Sequence, residues 1–319
     1  MIPRRALLAL PFLAAAARAE EARPVRLVVP FPAGGATDAV ARLVAPGLSE
    51  KLGQPVVVDN RPGAGGIPAA EIVVRAPPDG LTLLVATGSI LSTAPVVNPR
   101  GLPFDPDRDL APLALLATSP SLVLVSAKVP ATTLRDFIAW ARAHRGEVNY
   151  GSSGVGTTPH LNAALLDALA ETGMVHVPYR GTGLVYAEMA RGEVHLLLDV
   201  PSTAAPHLAA GTVRALAQTG PGETKLAPGL PTAAAAGLPG LVSETWFGLY
   251  GPAGLPSAVA ARLTQATLAA LADPALQDRF LSIGAEVRAE GPEGLARMAR
   301  EERERWAELV QKHGIKVTD

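Results

Sequence analysis

The chain has 319 residues, 48% apolar and 18% charged, with a formal net charge of −1. Such a composition excludes a disordered chain and leaves room for two domains. It shows no basic excess of the kind nucleic-acid binding needs. With no cysteine, disulfides, thiolate nucleophiles and cysteine metal sites are excluded. Aromatic residues are 4%, so the core is expected to be built from Ala, Val and Leu.

Arg4 and Arg5 precede an apolar run over residues 6–17, and Ala17-Arg18-Ala19 has a small-x-small cleavage pattern. This is the plan of a secretory signal peptide over residues 1–19, in a run too short to span a bilayer. A membrane anchor or a buried N-terminal helix is the competing reading. Removing the segment leaves 25 basic residues against 29 acidic.

Residues 25–29 read as a strand. VVPFPAGGATD, residues 28–38, then runs from strand through a Gly-Gly turn into a helix start. Val40, Leu43, Val44, Leu48 and Leu52 fall on one face of a helix over 37–52, and Gly53 stops it. Residues 56–58 form a β-branched strand, 69–75 a helix, and 82–86 a strand ending at Thr87-Gly88-Ser89. Strand and helix alternate three times. This pattern predicts a parallel α/β sheet covered on both faces. Ligands of such sheets bind beyond the carboxyl ends of the strands. Residues 31–38 and 87–89 sit at such ends.

Residues 113–117 and 122–125 flank Thr118-Ser119-Pro120 and read as a crossover to a second unit. A helix over 134–143 follows. Asn149-Tyr150 then leads into GSSGVGTTPH, residues 151–160, before a helix face at Leu161, Ala164, Leu165, Ala168 and Leu169. The strand, Gly/Ser/Thr loop, helix device is thus repeated. Strands over 175–178, 194–199 and 213–218 alternate with helices near 183–191 and 204–210. Residues 220–239, rich in Gly, Pro and Ala, read as a surface excursion. A strand over 244–250 and helices over 263–271, 275–283 and 292–313 complete the chain, with Glu301 to Arg305 read as a solvated face.

Two helix starts facing each other across a cleft can hold a carboxylate. The first amides of a helix lack intrahelical partners, and each terminus is worth roughly 0.3–1 kcal/mol to an anion. In the first loop Ala33, Gly34 and Gly35 bring backbone to the ligand, and neither loop contains an arginine. Thr37, Ser152, Ser153, Thr157 and Thr158 are candidate donors; as helix N-caps they would have an equally good structural role. Asp38 either caps the helix or ties down the loop. Phe31 walls the pocket or packs in the core. His160 is a ligand residue or a structural hydrogen-bonding one. Asp199 ends an apolar strand, where it recognises an amino group or fixes a loop.

Enzyme and cofactor motifs fail. Three glycine clusters miss the dinucleotide fingerprint, no phosphate loop exists, and neither Ser152 nor Ser153 sits in G-x-S-x-G. The histidines have no metal-ligand spacing. No cofactor or metal is expected. Ser153, His160 and Asp199 keep an exported serine hydrolase as an alternative, without support from their spacing. A ligand sensor for a membrane signalling partner is the other alternative.

VVPFPAGGATDAVARLVAPGLSEKLGQPVVVDNRPGAGG, APPDGLTLLVATGS, NYGSSGVGTTPHL, VPYRGTG and ETWFGLYGPAGLP occur in this order. Together they resemble the Bug/tripartite tricarboxylate transporter substrate-binding family over nearly the whole mature chain. The resemblance implies a two-domain, type II-like periplasmic solute-binding fold with two crossovers and a ligand cleft between the domains. One domain is expected over residues 20–118 plus 246–319, the other over 119–245. Family members pin a ligand carboxylate between two loops, here Phe31 to Asp38 and Ser152 to Thr158. That set includes Gly154 and Gly156. The resemblance also implies a periplasmic monomer that delivers a small carboxylate to a membrane permease and performs no chemistry. Many relatives have a histidine after the counterpart of Thr87-Gly88-Ser89, where this chain has Ser92-Thr93, and an asparagine where it has Ile67. Selectivity is therefore expected near residues 87–93, Tyr179 and Asp199.

Overall fold

A computed structural model describes residues 23–98 and 101–315. The expected signal peptide, residues 1–19, lies outside the described residues. The chain opens with β1 (Val25–Val29), α1 (Ala36–Leu52), β2 (Val56–Asn60), α2 (Ile67–Val74) and β3 (Thr82–Thr87). A π-helical turn over Ser89–Thr93 runs into the short α3 (Ala94–Val97). Next come β4 (Leu110–Pro120), β5 (Leu122–Ser126), α4 (Leu134–Ala143), β6 (Asn149–Ser152), α5 (Thr158–Ala170) and β7 (Val175–Pro178). Then follow α6 (Thr182–Arg191), β8 (Leu196–Asp199), α7 (Pro201–Ala209), β9 (Val213–Gln218) and β10 (Glu244–Pro252). The chain closes with α8 (Ser257–Leu271), α9 (Pro274–Ser282), β11 (Glu286–Glu290) and α10 (Pro292–His313).

The strands form two sheets, ordered β11-β4-β10-β3-β1-β2 and β7-β6-β8-β5-β9. As expected, β1 pairs in parallel with β2 and β3. The later strands make both sheets mixed: β10 runs antiparallel to β3 and β4, and β5 antiparallel to β8 and β9. The period of two along each strand divides the core. Val25, Leu27 and Val29 pack under α1, α8 and α9, while Val28 faces the opposite side with α2 and Trp246. In the second sheet Val123 and Val125 pack with α4 and α5, and Leu122 and Leu124 with α6 and α7. Both faces of each sheet are covered, as apolar runs without polar alternation require.

The chain leaves the first sheet after β4 and returns on β10, which pairs with β4 from Glu244↔Pro120 onward. A further link was not anticipated. On α10, Leu295 and Ala299 pack beneath the first sheet, whereas Trp306 lies in the core of the second. Glu302 sits between them, buried, and accepts the indole N–H of Trp246. The expected solvated face is therefore broken at Glu302. The π-helical turn and β11 also escaped the sequence reading; both are too short to carry a clear period.

Candidate functional site

The carboxyl ends of β1, β3, β6 and β8 converge on a cavity of about 560 Å³ between the sheets. Of the expected residues, Phe31, Ala33, Gly34, Gly35, Thr37, Thr87, Ser89, Ser153, Thr158 and Asp199 line it. A second cavity of about 490 Å³ adjoins it and shares Phe31, Ser153 and Arg180. Gly154 and Tyr179 line that second space. Asp38, Gly88, Ser152, Gly156, Thr157 and His160 lie behind these walls.

The first loop is held open by its own residues. Gly34 has φ +82°, a left-handed conformation that L side chains resist. Its N–H donates to Asp38 Oδ2 at 2.9 Å. Asn60 Nδ2 donates to both Phe31 O and Asp38 Oδ1 at 3.0 Å, and Arg42 Nε donates to Asp38 at 2.9 Å. Burial pushes the Asp38 carboxyl up, but hydrogen bonds from Arg42, Gly34 and Asn60 outweigh it and hold its pKa below the ordinary value. Asp38 thus ties the loop from behind. Gly35 is the N-cap of α1 and no side chain caps this helix. Its first-turn amides have no intrahelical partners and open on the cavity.

The second loop is largely closed on itself. Gly154 N donates to Ser152 Oγ at 3.1 Å, Gly156 N to His160 Nδ1 at 3.0 Å, and Thr157 Oγ1 to Gly154 O at 2.7 Å. Ser152 Oγ lies 2.7 Å from His176 Nε2. The His160 and His176 rings stack with centroids 3.8 Å apart. Burial, and for His160 the neighbouring His176, pushes their pKa values down to about 3 and about 4. Both are therefore neutral scaffolding at neutral pH. The N–H of Thr158, the first residue of α5, donates across the cleft to Ser89 Oγ at 3.0 Å.

Three of the expected cavity-lining hydroxyls remain. Thr87 Oγ1 is buried and has no hydrogen-bond partner. Thr37 and Ser153 enter no side-chain hydrogen bond among the described residues, and both are at least nine-tenths buried. Buried polar groups without partners are costly and uncommon, which singles out Thr87 Oγ1 on this wall. Asp199 differs. It is buried and accepts from Tyr186 Oη at 3.0 Å, Thr203 Oγ1 at 2.5 Å and Val200 N at 2.9 Å. Burial raises its pKa although these bonds oppose the rise. Its oxygens are occupied in fixing the start of α7. His160 likewise spends Nδ1 on Gly156, and among the described residues no histidine is hydrogen-bonded to Ser153.

Cavity residues not expected from the sequence include Arg180, Thr182, Leu184, Val200 and Phe247. Arg180 and Thr182 follow β7 in a Tyr-Arg-Gly-Thr-Gly run, with Leu184 directly after it, and this run repeats the strand, glycine loop, helix device. That repetition was the available signal. Gly181 sits against Pro32 of the first loop: a Cβ there would lie 3.2 Å from Pro32 Cδ. The loops of the two domains touch at this point.

A family model described as the tripartite tricarboxylate transporter family receptor matches residues 40–315. The chain belongs to this family. The solved structure of R. palustris Rpa4515 with adipate is 36% identical, covers 92% of this chain and 98% of its own, and superposes with a TM-score of 0.89. MatC (Rpa3494) from Rhodopseudomonas palustris with bound malate is 35% identical, with coverages of 90% and 99% and a TM-score of 0.86. The periplasmic binding protein BugD is 32% identical, with coverages of 92% and 98% and a TM-score of 0.86. The two-domain solute-binding fold expected from the resemblance is thus the fold of this chain, and its family is one of periplasmic solute-binding proteins.

Proposed function

We propose that this protein captures a small carboxylate in the cavity between its domains and hands it to a membrane permease. The ligand carboxylate rests on the uncapped start of α1 and receives the hydroxyls of Thr37, Thr87 and Ser153. The observation that carries this reading is the uncapped helix together with the unpartnered Thr87 hydroxyl at the cavity wall. Amide and hydroxyl hydrogen bonds to a charged acceptor are stronger than those between neutral groups. Asp38 holds the loop in register, and Ser152, Gly156, Thr157 and His160 shape the opposite jaw. Export by a signal peptide over residues 1–19, a division into residues 20–118 plus 246–319 and 119–245, and delivery to a permease complete the reading. Family membership and the two-sheet division support these. The bound carboxylates of Rpa4515 and MatC support the ligand class.

The test is a thermal-shift panel of small carboxylates set against their primary amides. A ligand at 100 times its Kd stabilises by about 2.7 kcal/mol, which moves the melting temperature visibly. Carboxylates are expected to raise it and the amides to leave it unchanged. A folded protein that ignores the whole panel would refute the reading.

A further inference from the structure

Asp199 closes β8 and is the one acidic residue lining the cavity among the described residues. It is buried and takes part in no ion pair among them. A captured anion therefore shares a desolvated space with a second carboxyl, and a like charge in such a space disfavours the ionised form. The groups facing Asp199 do not offset this. On α6 Tyr186 donates its hydroxyl to Asp199, and His207 of α7 stacks on the Tyr186 ring with centroids 4.0 Å apart. Burial raises the Tyr186 pKa well above its ordinary value and lowers that of His207, so both are neutral at neutral pH. The neighbouring strand β5, paired at Leu122↔Asp199, carries no charged side chain, nor does the cavity wall supplied by the loops of the first sheet. Arg180, after β7, is the one cation lining the cavity among the described residues.

The hydrogen bonds around Asp199 fit both of its protonation states. Ionised, it accepts from Tyr186, Thr203 and the Val200 N–H. Thr203 Oγ1 lies 2.5 Å from Asp199 Oδ2 and also 3.1 Å from Val200 O. With a proton on Oδ2, the carboxyl donates to Thr203 Oγ1 and the Thr203 hydroxyl turns to Val200 O, so no polar atom loses its partner and no heavy atom moves. We propose that the protein takes up a proton on Asp199 with each anion it captures, so that a neutral acid stands beside the bound carboxylate. The proton comes from solvent and forms an O–H bond at Asp199; no other covalent bond changes. Burial already raises the Asp199 pKa, against the bonds from Thr203, Val200 and Tyr186, and the anion raises it further. Affinity therefore rises as pH falls through the value at which the loaded protein titrates, and levels off below the value of the free protein. This inference rests on the carboxylate-capture reading above.

The experiment is titration calorimetry of the whole mature protein with acetate, hexanoate, succinate and benzoate from about pH 6 to about pH 8.5, a range above ordinary carboxyl pKa values. Buffers of different ionisation enthalpy count the protons taken up per anion. The wild type is expected to take up about one-half to one proton at the acid end and to lose up to about tenfold in affinity per pH unit above it. Asp199→Asn should take up none and bind more tightly than the wild type at the alkaline end. His207→Gln should keep the uptake. No uptake by the wild type across the range overturns the proposal and leaves carboxylate capture standing. Uptake that persists in Asp199→Asn, or vanishes in His207→Gln, overturns it because the proton then lodges elsewhere. Weaker binding by a folded Asp199→Asn at the alkaline end overturns it too. Should that variant not fold, infrared difference spectra of wild type carrying 13C-labelled aspartate replace it: a protonated aspartyl band that appears on binding supports the proposal, and its absence overturns it. A folded wild type that binds none of the four carboxylates overturns both readings.

Discussion

Ser89 Oγ accepts the backbone N–H of Thr158 at 3.0 Å and lies 3.1 Å from the Thr158 hydroxyl. The two residues, 69 positions apart, follow strands of different sheets, Ser89 after β3 and Thr158 after β6. One domain thus caps the helix of the other, and the first amide of α5 is satisfied by protein. This divides the labour between the two jaws. The start of α1 is open to a ligand, whereas the start of α5 joins the domains. Ser89→Ala removes this cap and is expected to cost about 1 kcal/mol of stability. Urea denaturation checks it, and an unchanged midpoint would show that the contact contributes nothing.

The open jaw is tested at Gly35. Its φ of −79° is ordinary, so a side chain is not excluded by conformation. A Cβ would lie 3.3 Å from Pro32 O, and further branches would cover the first amides of α1. Gly35→Val is therefore expected to abolish carboxylate binding while the far-UV circular dichroism spectrum stays as in the wild type. Retained affinity, measured by calorimetry, would exclude the α1 amides as the clamp.

The stacked histidines make stability depend on pH. His160 and His176 are held down to about 3 and about 4, mainly by burial. Their unfolded value is about 6.5. Between those limits the unfolded chain binds protons that the folded protein does not, so stability falls as pH is lowered. A histidine held at about 4 loses roughly 3 kcal/mol across that interval. Melting temperature is expected to fall steadily from pH 6.5 to 4, and His176→Asn should flatten the slope. An identical slope in the variant would assign the acid sensitivity to other groups.

Glu302 gives the opposite sign. Burial raises its pKa, although bonds such as that from Trp246 oppose the rise, and its Oε1 has no partner. A carboxyl whose folded pKa is raised contributes stability at low pH that is lost as pH rises from the unfolded value through the folded one. Glu302→Gln removes the charge, keeps an acceptor for the Trp246 indole, and is expected to be neutral or stabilising at pH 7. Glu302→Ala leaves that N–H buried and unpaired, at a cost of about 1–3 kcal/mol. Equal midpoints for the two variants would contradict this assignment.

The strand faces and helix stripes were legible in the sequence because their periods are local. Leu27 and Val28 point to opposite sides in any strand, and Val40, Val44 and Leu48 share a face in any helix. The two loops at strand ends were legible for the same reason: glycine, proline and hydroxyl residues between a strand and a helix have local meaning. The role of Glu302 was not. Its neighbours in sequence pair at i,i+4 spacing and read as a solvated surface, while Trp246, 56 positions away, takes it into the core.

By itself the sequence determined the architecture, the absence of cysteine chemistry and the location of two candidate anion loops. Only the tertiary structure decided which donors in those loops are available. Gly154, Gly156 and Thr158 amides are consumed by Ser152, His160 and Ser89, whereas Thr87 keeps an unpartnered hydroxyl at the cavity wall. The physical reason is that a hydrogen bond is exclusive. Whether a donor is free depends on every acceptor that folding brings within about 3 Å, and those acceptors come from segments that local periodicity cannot connect.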